Sequence, residues 1–379
     1  MIINKKINLS KSLYELVYYL YIIVAPINNL LNDNGANAMV AYLSVLLVLI
    51  GCTYELLIEK RIGGYNSYVV ALALGIEVLI QYCLGNPFEL NWIAMILVFC
   101  MILTIPKAFS LKRIYMAFYI SSIVSAVCSI SYGMRSGAVE RTAIWVDGSL
   151  AVIVIAIVLF AKENFEKTRV YNGLKCAALI SCFIIAVFGM SRSRLLIIGV
   201  LLLIWLLFAG KAMFMTGRPK IAPIFLSILV VFAIVFVARL DITQNLYDSI
   251  VERFDGGLES VGRDNEVAFG IELFKQNWLI GAGWGKISYH NHNLDVYYNH
   301  NMYVAILARG GVFFTATMLC CFGQILRATA KSKNFLCMML LFIFLLLGYG
   351  NAGIFNYTIC SLFIPLVLQL KDETIKITF

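Results

Sequence analysis

A dozen apolar runs, each close to the length needed to cross a bilayer, constrain this chain more than any motif in it. A hydrocarbon core about 30 Å thick takes roughly 20 helical residues. Runs of that kind fall at approximately 13–31, 37–58, 65–84, 91–105, 114–131, 144–161, 170–189, 195–209, 221–238, 300–326, 335–349 and 353–370. Hydrocarbon offers no partner to a free backbone N–H or C=O, and the runs lack the alternation of a barrel strand, so each must be a helix. The expectation is an all-α polytopic integral membrane protein with about 12 transmembrane helices, residues 1–379 forming one transmembrane domain. Composition agrees: 61% hydrophobic residues, 13% charged residues and a mean hydropathy of +0.86 exceed what a soluble core can bury.

Polar residues gather in one long stretch, 239–299, read as a large loop inserted between spans nine and ten. Lys and Arg are retained on the cytoplasmic side of a membrane. With the N-terminus cytoplasmic, most of the 30 basic residues fall on the tails and even-numbered loops, among them Lys60, Arg61, Lys112, Arg113, Lys167, Lys211, Arg218, Arg327 and Lys371. Both termini are then cytoplasmic and the long loop faces the periplasm or exterior. Met1–Ser10 leads into an uncleaved first span, with no small-residue cleavage site after it. The net charge of +9 is mostly this topology signal, so no nucleic-acid partner is expected. All ten cysteines lie in apolar runs and read as small packing residues rather than a disulfide or zinc framework.

Two outward-facing features run against the positive-inside bias. Ser191-Arg192-Ser193-Arg194 sets two guanidiniums at the outer boundary between spans seven and eight. They read either as snorkelling anchors or as an anion clamp, because a guanidinium fork matches phosphate oxygens and stays charged. In the long loop, Val267, Ile271, Phe274 and Trp278 recur at helical spacing, opposed by Glu266, Lys275 and Gln276. That pattern predicts an amphipathic helix on the membrane surface, its stripe packed on the bundle. Arg263 stands immediately before it, where free amides and the helix dipole also favour an anion. Gly281-Ala282-Gly283-Trp284-Gly285 then reads as a tight turn resting on the headgroup layer, not a nucleotide loop, since no βαβ unit surrounds it.

His290, His292 and His300 stand at the downstream end. Their spacing matches no familiar metal site, so no metal and no cofactor are expected. His290 and His292 read as ordinary loop polar residues. His300 opens span ten directly before Asn301, on a rigid helix at the outer boundary, the placement a general base needs. Its imidazole titrates near neutral pH.

In order, side and spacing, the Ser-Arg turn, the loop Gly262-Arg263, its helix, the Gly281-Ala282-Gly283 turn, His300-Asn301 and Gly310-Gly311 resemble the O-antigen ligase and Wzy-type O-antigen polymerase superfamily over roughly 185–325. The resemblance implies a GT-C-like membrane-helical fold and an inverting, metal-independent glycosyltransferase of lipopolysaccharide biosynthesis in the bacterial inner membrane, acting on undecaprenyl-pyrophosphate-linked glycans as donor and acceptor. It implies His300 as the catalytic base, Arg192, Arg194 and Arg263 as pyrophosphate ligands and Asn301 as a substrate-orienting residue, with a chain-length regulator as a possible partner. In the ligase pattern a glycine, threonine or tyrosine stands where this chain has Phe314, and nothing here suggests recognition of a lipid A core. Polymerase is therefore preferred to ligase. Trp284, Tyr289, Tyr297 and Tyr298 are candidates for a sugar-stacking surface.

A lipid-linked oligosaccharide flippase or other transporter is the rival from another class. Transporters usually carry internal repeats and midplane charges; no repeat is seen, and the spans hold few ions, Glu77, Asp147, Lys175 and Arg309. Glu77 and Arg309 are the two to examine for a polar cavity.

Overall fold

The computed structural model describes residues 65–86, 110–136, 148–161, 163, 165, 167–188, 192–216, 261–284, 289–291, 294–296, 301–332 and 334–350, with isolated helical positions between 16 and 23. The described elements are α1 (Tyr65–Cys83), α2 (Leu111–Ser136), α3 (Gly148–Phe160), α4 (Arg169–Phe188), α5 (Arg192–Thr216), α6 (Val261–Gln276), β1 (Tyr289–Asn291), β2 (Leu294–Val296), α7 (Met302–Ser332) and α8 (Phe335–Gly350). Seven of these helices coincide with runs read from the sequence, within a few residues at most ends. The runs at 37–58, 91–105, 221–238 and 353–370, and nearly all of 13–31, lie outside the described residues. Among the described residues, the strands are a short antiparallel hairpin, β1 with β2, inside the long loop.

Helix α3 is the post of the bundle. Its sequence, GSLAVIVIAIVLF, is apolar on every side, which suits a helix surrounded by other helices. It packs against α2, α4, α5 and α8, and every residue from Leu150 to Ile157 is buried. The outer helices show the complementary pattern. Leu196, Val200, Leu203 and Leu207 on α5, and Phe335, Met338, Phe342, Leu346 and Tyr349 on α8, are exposed at spacings of three and four. Such continuous apolar stripes belong against lipid rather than water. Among the described residues, α2, α4 and α7 each carry a stretch long and apolar enough to cross a membrane. Cys182 and Cys337 fill space in the core, whereas Cys83, Cys176 and Cys320 are exposed, so packing does not account for every cysteine.

The two ends of the bundle differ chemically. At one end the start of α2, the end of α3 and the starts of α4 and α8 meet: Phe160 stacks edge-on against Phe335 with ring centroids 5.4 Å apart, and Lys112 sits over the Phe165 ring. Glu163, its side chain only 2% exposed, is bound there by Lys175 Nζ at 2.7 Å, Lys167 Nζ at 2.9 Å and the Tyr171 hydroxyl at 2.8 Å. Lys175, a basic residue inside a span, is thus paired. Burial raises the Glu163 pKa, but the hydrogen bonds from Lys167, Lys175 and Tyr171 outweigh it and hold the carboxylate below its ordinary range. At the opposite end the start of α7 meets the end of α8, with Tyr303 Oη donating to Leu345 O at 2.7 Å. Helix α4 runs away from the Glu163 end, so α5, which begins four residues after α4 stops, starts at this same opposite end.

Helix α7 is broken at Gly311 (φ 58°, ψ −164°), and the turn after α6 fills the break. In an unbroken helix Val312 N would donate to Ala308 O and Phe313 N to Arg309 O. Here Ala282 N donates to Ala308 O at 2.9 Å and Gly283 N to Arg309 O at 3.2 Å, while Val312 N reaches Trp278 O at 2.8 Å and Phe313 N reaches Leu279 O at 3.2 Å. The turn therefore does not rest on the headgroup layer. It enters the bundle to the level of Gly311, ten residues beyond Asn301, about 15 Å along α7 at ~1.5 Å per residue. Irregular backbone is tolerated at that depth only where protein satisfies it. Two glycines make the approach possible. A Cβ on Gly281 (φ +84°) would lie 2.1 Å from Arg309 O, and one on Gly311 would lie 2.6 Å from Gly281 N.

Gly281→Ala is expected to destabilise the protein by more than the ~1–2 kcal/mol of a left-handed alanine, because the methyl also strikes Arg309 O. Gly199→Ala, where nothing lies within 4 Å, should be neutral or slightly stabilising; thermal unfolding in detergent reads both. The depressed pKa of Glu163 means that its stabilisation is complete above the ordinary 4.5 and is lost as pH falls through the lower folded-state value. Glu163→Gln should accordingly lower the thermal midpoint near neutral pH, and the gap from wild type should narrow only below 4.5.

Candidate active site

The residues singled out in the sequence stand at helix N-termini. Arg192 opens α5 and Arg194 follows, half-buried, two residues later. Arg263 is the third residue of α6, because that helix starts at Val261 rather than after Arg263. The side chains of Arg192 and Arg263 lie outside the described residues, as does all of His300. Asn301 is described: its Oδ1 accepts from Tyr303 N at 3.0 Å and Val304 N at 3.2 Å, an N-cap that defines the start of α7.

The starts of α5 and α7 share the end of the bundle opposite Glu163. Helix α6 packs along α7 and touches β1, whereas α5 packs on α3 and α8. The arginine-bearing start of α5 and the arginine-bearing α6 are linked through the α7–α8 pair. Free N–H groups and the positive end of a helix dipole attract anions, and arginines at such ends add charge and fork-shaped donors. Arg192 and Arg194 stand in the first turn of α5 and Arg263 in the first turn of α6, while Asn301 caps α7.

The stripe on α6 is packed only in part. Val267 and Phe274 are half-buried and Lys275 and Gln276 exposed, as the pattern predicts, but Ile271 and Trp278 are exposed, at 43% and 57%, while Glu266 and the small Gly270 are buried. In the hairpin His290 pairs in register with Asp295, while His292, Tyr297 and Tyr298 lie outside the described residues.

Trp284 is 1% exposed, which removes it as a sugar-stacking surface. It stacks edge-on against Phe314 with centroids 5.0 Å apart, and its Nε1 donates to Glu77 Oε1 at 3.1 Å. Phe314, which departs from the ligase pattern, therefore packs the inserted turn from behind. Both ions marked for a polar cavity border this turn: Glu77 is fully buried, and Arg309, 4% exposed, accepts from Gly283 N through its carbonyl. Asp147 lies outside the described residues.

Sequence reasoning missed Gln81. Its side chain is buried, its Nε2 donates to Ile280 O at 2.7 Å and Gly281 O at 3.0 Å, and its Oε1 accepts from Asn86 Nδ2. The available signal was a Glu and a Gln four residues apart in one apolar span, which places both on one helix face.

No curated protein matches the chain. Residues 176–319, spanning most of α4, all of α5 and α6, the hairpin and the front of α7, match the family model described as O-antigen ligase. The inserted turn, the capped Asn301 and the arginine-bearing helix starts all fall inside that segment, which is similar to the O-antigen ligase family.

Proposed function

We propose that this protein is an O-antigen polymerase, an inverting glycosyltransferase that joins undecaprenyl-pyrophosphate-linked repeat units at the periplasmic face of the inner membrane. The observation that carries the reading is the sharing of one bundle end by the starts of α5 and α7, the elements bearing Arg192, Arg194 and the His300-Asn301 pair, within or at the edge of the matched segment. The basic residues of Glu163's surroundings lie at the other end, which agrees with a cytoplasmic assignment for that end, cytoplasmic termini and about twelve spans in all.

The donor is a glycan whose reducing-end sugar is bonded to pyrophosphate. Arg192, Arg194 and Arg263 bind the pyrophosphate and stabilise the charge that grows on it as the glycosidic bond breaks. Fixed guanidiniums serve in place of a divalent ion. A hydroxyl of the acceptor repeat unit attacks the anomeric carbon from the opposite face, His300 takes its proton, and undecaprenyl pyrophosphate leaves. One displacement inverts the centre. Asn301 holds the start of α7 and so orients the base and the acceptor hydroxyl. A separate chain-length regulator is a partner consistent with this activity.

Ligase activity is the second reading, favoured by the family description itself; Phe314 and the lack of a feature for a lipid A core weigh toward polymerase. Gel analysis of surface polysaccharide after deletion of the gene separates them. A single capped repeat identifies a polymerase, polymer that never reaches the lipid core a ligase, and lipid-linked units held in the cytoplasm a flippase.

His300→Ala should abolish long chains while the protein stays in the membrane; normal chain lengths in that strain would sink the assignment. Lysine at Arg263 keeps the charge but loses the fork, so Arg263→Lys should retain only part of the polymerising activity, and a wild-type rate would exclude a bidentate phosphate contact.

A further inference from the structure

Glu77 and Gln81 reach the inserted turn from α1, which lies outside the matched segment 176–319. One helical turn apart, they hold the turn at two points. Glu77 Oε1 accepts the Trp284 indole N–H at 3.1 Å, and Gln81 Nε2 spans the carbonyls of Ile280 and Gly281 at 2.7 and 3.0 Å. Ile280 and Gly281 lie in the stretch 278–283 that replaces the broken hydrogen bonds of α7, and Trp284 directly follows it. That stretch begins at Trp278, two residues after α6 ends, so its position sets where α6 lies along α7. Residue Arg263 rides on α6, and His300-Asn301 stands at the head of α7.

We infer that Glu77 and Gln81 are positioning residues for the proposed glycosyl transfer, which hold the turn in the α7 break and thereby align the Arg263 helix with the His300 end of α7. The inference rests on the proposed function. Glu77 acts as an acceptor: one oxygen takes the indole N–H, while Oε2 is buried with no hydrogen-bond partner among the described residues. What the site uses is a lone pair at Oε1, which the carbonyl of a glutamine supplies equally well. A catalytic or ion-carrying carboxylate would need its charge or its proton, and glutamine would fail.

The test uses the purified full-length protein in lipid nanodiscs with the single-repeat lipid-linked glycan that accumulates in the deletion strain. Misalignment of reacting groups on the ångström scale costs up to about 100-fold in rate. Glu77→Leu should therefore lower kcat by about tenfold or more while the KM for the lipid-linked donor moves little, and Glu77→Gln should restore kcat to near wild type. Trp284→Phe deletes the same hydrogen bond from the other side, so Glu77→Leu combined with Trp284→Phe should be no slower than the slower single variant. Should Glu77→Leu fail to reach the membrane, Trp284→Phe and Gln81→Met carry the test with the same kcat-selective loss expected. A wild-type kcat for Glu77→Leu, a Glu77→Gln as slow as Glu77→Leu, or multiplicative losses in the double variant would each overturn the inference. Failure of the underlying reading looks different: His300→Ala would polymerise normally, whatever the Glu77 variants do.

Discussion

Four hydrogen bonds between the 278–283 turn and the broken segment of α7 are the constraint on which the rest of this architecture depends. A helix in a membrane cannot simply lose two rungs of its ladder, because each orphaned group in a non-aqueous interior costs about 1–3 kcal/mol. Here the carbonyls of Ala308 and Arg309 and the amides of Val312 and Phe313 are all reassigned to the turn at 278–283, far upstream in the chain, with no loss of pairing. The exchange requires backbone to meet backbone, and Gly281 and Gly311 are the residues whose lack of Cβ permits it. Trp284 and Phe314 then close over the junction from one side and Gln81 from α1.

This junction converts a loop into part of the transmembrane scaffold. A long polar insertion would ordinarily be the most mobile portion of such a protein, yet its helix α6 is tied to α7 at Trp278 and Leu279 and packs along it. A site assembled from α6 and the head of α7 is thereby built on packed helices, which suits chemistry that depends on alignment. The same tie explains why α6 carries Gly270 on its buried side and Ile271 on its exposed one: it must lie close to α7 while its outer face meets lipid.

The bundle beneath is polarised in a way that matches this use. Buried Glu163 gathers Lys167, Lys175 and Tyr171 at one end and locks the start of α4 to the end of α3. The other end holds the starts of α5 and α7, the latter capped by Asn301. Between them α3 contributes only apolar contact, and its all-round burial keeps the two ends at a fixed separation.

Spacing of apolar residues alone was enough to locate α1 to α5, α7 and α8, because a span of about 20 residues is dictated by bilayer thickness and by the need to satisfy the backbone internally. The helix at 261–276 and the cap at Asn301 were likewise legible, since apolar spacing and a capped helix start are local signals; Arg192, Arg194, Arg263 and His300 are proposed on the same kind of local signal. Depth and facing were not legible. The glycine turn was read as a surface feature and Trp284 as a sugar platform. Each reading failed because hydrogen bonds between 278–283 and 308–313, and between Gln81 and Ile280, join residues far apart in the chain. Periodicity reports which residues share a face, and a stretch of sequence carries that information by itself. Which face turns inward, and which distant backbone completes a broken helix, is decided only when the helices pack, because the partner that satisfies those groups comes from elsewhere in the chain.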